Sequence, residues 1–159
     1  MAMAYERVLP AHTFAKLADP QVQAQLTEQI GTEIGNATCR VLVALDGERI
    51  VGFSFVRPAV VGGESVLEAA DTDAGKTGYL EQVLVEPRWG RRGHGSRLLA
   101  ASAEFFTGAG LVRAVTWVPE QNSATLEFLT SAGWARDGYT RGFDADGTTV
   151  REVRLHTAL

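Results

Sequence analysis

The chain has one cysteine, Cys39, among its 159 residues. No disulfide can form within it, and no cysteine–histidine spacing suits a zinc or iron–sulfur site, so no metal is expected. Cys39 heads an apolar run and reads as a buried, inert thiol. No apolar stretch approaches the ~20 residues of a membrane span. The opening residues, MAMAYERVLP, lack the charged-then-apolar pattern of a signal peptide. A cytoplasmic protein with no membrane partner is expected. Basic residues are not in excess, 15 against 19 acidic for a formal charge of −4, so nothing points to a nucleic-acid partner. Internal repeats and low-complexity segments are absent too. At 45% hydrophobic residues, the chain has enough apolar content for one packed domain spanning 1–159.

The most informative stretch runs from Tyr79 to Phe106. Tyr79–Val85 is apolar and β-forming and is closed by Pro87. Gly90, Gly93 and Gly95 then alternate with Arg88, Arg91 and Arg92. Leu98, Leu99, Ser102, Phe105 and Phe106 follow at helical spacing. A strand, a glycine-rich basic turn and a helix start together supply free N–H groups, a positive dipole end and guanidinium groups. That combination suits a phosphate. The order of glycines does not fit a nicotinamide dinucleotide site, and the Gly-Lys-Ser/Thr of a nucleoside-triphosphate loop is missing.

Around this stretch the pattern predicts a short strand at Ala4–Leu9, a helical turn at His12–Ala18 and a helix from Pro20 to Ile34 capped by Asp19. Strands 40–45 and 50–57 flank Asp46-Gly47, a strong hairpin signal. Residues 59–78 read as a long loop carrying Glu64, Glu68, Asp71 and Asp73, with a helical turn near 65–70. These acidic residues are either solvated or placed to attract a cation. A strand at 111–118 and a helix at 122–132 come next, followed by two closing strands around Asp146-Gly147. The fold class is therefore α/β (α+β), with a mixed, mostly antiparallel sheet of about six or seven strands and about four helices.

In order and spacing the chain resembles the GCN5-related N-acetyltransferase (GNAT) family, most closely over residues 79–134. Val85-Glu86-Pro87, the run Gly90 to Gly95, Ser96 and Leu98-Leu99 match that family's acyl-CoA motif. Asn122, Phe128, Gly133 and Trp134 echo its later element, and Ile50-Val51-Gly52-Phe53 is similar to its third strand. Three positions depart from the family pattern: Gly90 replaces a Gln or Arg, Thr125 an Ala, and Leu129 the tyrosine that often protonates the leaving thiolate.

The resemblance implies acetyl-CoA as co-substrate and an amine as acceptor. It implies a cofactor site built by Val83, Leu84 and Val85 along the pantetheine arm. Arg91, Arg92, Gly93, His94, Gly95 and Ser96 would surround the pyrophosphate, and Asn122 would contact the arm. His94 is expected to contribute its backbone amide rather than its imidazole. Glu81 is the expected general base, since a carboxylate on an apolar strand needs a reason. By simple alternation it shares a face with Val83. Tyr79 and Tyr139 are alternative acids but read more readily as strand aromatics. The missing tyrosine keeps open a non-catalytic acyl-CoA-binding or regulatory domain, and more distantly a protein-interaction domain that binds no coenzyme. The acceptor's identity is not encoded in any motif, and a homodimer is left open.

Overall fold

The computed structural model describes residues 38–61 and 64–159. The strand and helices expected before residue 38 lie outside these. The described residues fall into two compact units, Thr38–Thr116 with His156–Leu159, and Trp117–Leu155.

The first unit begins with a hairpin, β1 (Arg40–Asp46) and β2 (Arg49–Pro58), paired antiparallel. Gly47, the first residue of the two-residue turn between them, takes a positive φ of 61°, which glycine adopts without strain. After β2 come a small two-stranded ladder, β3 (Val60–Val61) with β4 (Glu64–Ser65), and a 3₁₀ turn at Ala74–Lys76. The expected long loop is thus shorter and partly ordered. Asp71 is a structural member of its acidic series: its side chain is only 6% exposed and accepts from Arg113 at 3.0 Å and from the Glu68 N–H at 2.9 Å.

Strand β5 (Thr77–Val85) pairs antiparallel with β2, from Pro58↔Gly78 to Gly52↔Val85. The register breaks once. Phe55 faces Gln82 but Val56 faces Leu80, leaving Glu81 as the extra residue of a β-bulge. On its other edge β5 pairs parallel with β6 (Arg113–Pro119), with Thr77 opposite Arg113, Gly78 opposite Ala114 and Tyr79 opposite Val115. The carbonyl of the next residue, Leu80, accepts from the Thr116 hydroxyl at 2.7 Å.

Helix α1 (His94–Gly108) packs on one face of β1, β2 and β5. Leu98 meets Ala44 and Val51, and Leu42, Val83, Val85 and Trp89 close around them. A buried hydroxyl pair ties helix to sheet: Ser102 donates to the Leu98 carbonyl at 2.7 Å and receives from Ser54 at 3.0 Å. Gly110, at φ 76°, terminates the helix.

The second unit holds α2 (Ser123–Ser131), β7 (Ala135–Ala145) and most of β8 (Thr148–Ala158). Asp146 and Gly147, between β7 and β8, both take positive φ, 51° and 83°, as a mirror-image turn that matches strand twist requires. Two fully buried charges are paired here: Glu152 with Arg141 at 2.5 Å and Arg154 with Asp137 at 2.7 Å. Trp117 lies against both guanidinium groups, and Tyr139 against that of Arg154. Tyr139 is thus occupied as a strand aromatic. Through β6 and β8 the six long strands form one mixed sheet in the order β1-β2-β5-β6-β8-β7.

Gly78 sits directly under the helix: a Cβ there would lie 2.5 Å from the Phe106 ring. Gly78→Ala should therefore cost about 1–3 kcal/mol, the usual penalty of overpacking. Urea denaturation measures it, and an unchanged midpoint would contradict the close approach.

Candidate active site

Two backbone features of the first unit flank one hydrophobic cluster. The first is the β5 segment from Glu81 to Val85, which lies past the three described pairs with β6. Val83 and Val85 send their side chains into the cluster around Leu98, so only their backbone groups can offer polar contacts along that edge. Such an edge accepts an extended ligand as an added strand, and an N–H on it can polarise a carbonyl.

The second feature is the turn from Pro87 to Ser96. A 3₁₀ turn at Pro87–Trp89 leads to Gly90, then to Arg91 at φ 64° and Gly93 at φ 80°. A non-glycine residue in the left-handed region is uncommon, and left-handed residues among right-handed ones fold N–H groups into an anion-binding concavity. Gly93 is the N-cap of α1 and provides no side-chain cap. The N–H groups of His94, Gly95 and Ser96 therefore point out of the first helical turn with no intrahelical acceptor. Arg91 and Arg92 are exposed beside them. Two buried side-chain nitrogens here, Trp89 Nε1 and His94 Nε2, have no hydrogen-bond partner among the described residues. The donor set, all N–H and guanidinium, suits a pyrophosphate.

Glu81 departs from simple alternation. Gly78 faces Phe106 of α1, and Val83 and Val85 also face α1. Only the bulge at Glu81 allows both. Glu81 therefore does not share the face of Val83; it lies on the opposite face, with Arg57 and Tyr79. Its Oε2 accepts from Arg57 Nε at 2.7 Å, and the Arg57 guanidinium stacks over the Tyr79 ring at 5.0 Å. Tyr79 is buried under this pair. The Glu81 side chain remains 29% exposed, within reach of water. Arg57 is a functional-looking residue that no sequence motif marks. It stands opposite Tyr79 in the β2–β5 register, and residue types alone do not specify that register.

His94 is not merely an amide donor. Its imidazole is buried between Arg97 and Asp46. Asn122 belongs to the second unit, where its Oδ1 caps α2 by accepting from the Thr125 N–H at 3.2 Å. Leu129 is 1% exposed and fills core, so the departure from tyrosine is a packing residue.

The sequence profile of the acetyltransferase (GNAT) family matches residues 4–134. The chain belongs to that family. Its members use acetyl-CoA as co-substrate, and the chain is accordingly an acetyltransferase of this class. Among solved structures it is similar to the PaiA N-acetyltransferase of Thermoplasma acidophilum in complex with coenzyme A. That match has 14% identity over 99% of this chain and 85% of that one, with a TM-score of 0.69. It is also similar to a ribosomal-protein-alanine N-acetyltransferase of Brucella melitensis, at 20% identity over 89% and 79% with a TM-score of 0.63. A protein described as a streptothricin acetyltransferase from Bacillus anthracis, holding acetyl coenzyme A, matches at 15% identity over 79% and 65%, TM-score 0.63. No curated protein matches the sequence. At these identities the structural likeness is one of fold. Among the described residues of this acetyltransferase, no helix is long and apolar enough to cross a membrane.

Gly93→Ala would meet no neighbouring atom, so its cost is conformational. Forcing alanine to φ 80° should lower stability by roughly 1–2 kcal/mol and weaken coenzyme A binding in calorimetry. Unchanged stability and affinity would show that the left-handed geometry is dispensable.

Proposed function

We propose that the chain is a single-domain, cytoplasmic N-acetyltransferase. It transfers an acetyl group from acetyl-CoA to a primary amine of a small molecule or peptide, by direct attack in a ternary complex. The observation that carries this reading is the juxtaposition of two backbone features across one cluster: the β5 segment from Glu81 to Val85 and the open first turn of α1. Val83, Leu84 and Val85 would hold the pantetheine arm and polarise the thioester carbonyl. Arg91 to Ser96 would hold the pyrophosphate through N–H groups and two guanidinium groups.

Glu81 is the proposed base. An alkylammonium with a pKa of about 10 must lose a proton before its nitrogen can attack. A water-accessible carboxylate held in place by Arg57 can receive that proton through solvent. Cys39 is buried and has no role as an acyl carrier in this scheme. The similar structures include enzymes named for a ribosomal-protein alanine and for streptothricin. These acceptors share only an amine, and the proposal extends no further than that group.

A second reading, a non-catalytic acyl-CoA-binding domain, draws on two observations: Glu81 is already engaged by Arg57, and Leu129 replaces a hydroxyl with core packing. Incubating the protein with acetyl-CoA, a panel of amines and a thiol reagent separates the two. Coenzyme A release that requires an amine is expected; binding without release supports the second reading. In the same assay Glu81→Gln should lower kcat by about 10²–10⁴-fold with acetyl-CoA affinity unchanged. Undiminished turnover would remove Glu81 from the mechanism.

A further inference from the structure

The β1–β2 turn places a carboxylate against the phosphate loop. Asp46 Oδ2 lies 3.9 Å from Arg92 Nη1 and 3.7 Å from His94 Nε2. His94 itself is 3% exposed, and its Nδ1 is 2.7 Å from a guanidinium nitrogen of Arg97. A guanidinium has only donors, so Nδ1 accepts and the neutral ring carries its proton on Nε2, facing Asp46. The ring also stands edge-on to Trp89, with centroids 6.4 Å apart and planes at 76°. Arg92 and Arg49 lie over the Trp89 indole, at 4.8 and 6.0 Å from its centroid.

A negative charge beside an anion site is electrostatically unfavourable, so its placement needs a reason. We propose that His94 is a positioning residue. The chain Arg97–His94–Asp46 latches the hairpin turn onto the start of α1, fixes Arg92 on the Trp89 face, and turns the Asp46 charge towards the imidazole N–H. The first-turn amides and Arg92 are thereby held in register for a pyrophosphate. The latch rests on the proposed cofactor reading of this loop. It extends that reading by giving a side chain of the glycine-rich motif a tertiary role, through a residue on another strand pair.

Bare electrostatics and the latch predict opposite signs. If Asp46 were only a repulsive neighbour, Asp46→Asn would tighten coenzyme A binding. If Asp46 anchors the latch, Asp46→Asn loosens it. Asparagine is nearly isosteric with aspartate and Asp46 is the last, exposed residue of β1, so the variant keeps the hairpin. At position 94, asparagine can reproduce the Nδ1 acceptor but not the Nε2 donor, and glutamine can reproduce the donor but not the acceptor.

Calorimetry with coenzyme A should show Asp46→Asn and His94→Asn each weakened about tenfold, a difference of about 1.4 kcal/mol. His94→Gln should remain within about threefold of the parent. Nitrogen-15 NMR of the parent imidazole should show the Nε2–H tautomer. Tighter binding by Asp46→Asn, a His94→Gln as weak as His94→Asn, or an Nδ1–H tautomer would overturn the latch. Thermal melts report whether the position-94 variants fold; where they do not, Asp46→Asn and the parent tautomer decide. Failure of the parent to bind coenzyme A would overturn the cofactor reading instead, and the tautomer would still report on the latch.

Discussion

The extra residue at Glu81 is the constraint on which the site depends. A regular strand through TGYLEQVLV would place Gly78 and Leu80 on one face, and Val83 and Val85 on the other. The structure needs all four against α1: Gly78 to admit the Phe106 ring, Val83 and Val85 to close the cluster around Leu98. One bulged residue resolves the conflict, because it exchanges the faces of everything beyond it. It also sends Glu81 to the side of Arg57 and Tyr79, giving a carboxylate partly open to water and fixed by a guanidinium. Next to the bulge, the Leu80 carbonyl accepts from the Thr116 hydroxyl at 2.7 Å, so this buried carbonyl is satisfied where the register shifts.

The glycine-rich turn before α1, proposed to hold the pyrophosphate, solves a related problem with different means. Its donors are backbone N–H groups, and these are available only if no side chain caps the helix and the turn folds inward. Gly93 meets the first condition by having no side chain, and left-handed Arg91 and Gly93 meet the second. The left-handed arginine carries a conformational cost, which the surrounding contacts must hold in place. Trp89 supplies one such contact by packing into the cluster below while its face carries Arg92. The loop is thereby continuous with the core rather than a free surface turn.

The parts of this architecture governed by local rules are legible in the sequence. Both Asp-Gly dipeptides do mark hairpin turns, each with its glycine at positive φ, because a tight hairpin tolerates few other dipeptides. Helix α1 follows the spacing of Leu98, Leu99, Ser102 and Phe106, and Asn122 caps α2 as its chemistry favours. The illegible parts depend on register or on distant partners. Alternation presumes an unbroken ladder, so it puts Glu81 on the wrong face. Nothing in the residue types of β5 announces the bulge. No motif marks Glu152, Arg154 or Asp71 as interior, yet each is buried against an opposite charge from elsewhere in its unit. His94 reads as a backbone donor because its partner, Asp46, lies at the tip of a hairpin whose approach to the loop is purely tertiary.

The replacement of a hydroxyl by Leu129 bears on mechanism through the leaving group. A thiol with an ordinary pKa near 8.5 departs as thiolate at modest cost near neutral pH, unlike an alkoxide or an amide nitrogen. On the proposed scheme the demanding proton transfer is the one from the attacking ammonium, since the free amine is scarce at neutral pH and only it can attack. On that scheme Glu81 would serve that step, the departing sulfur would take its proton from solvent, and Leu129, 1% exposed, would pack in the core in place of an acid.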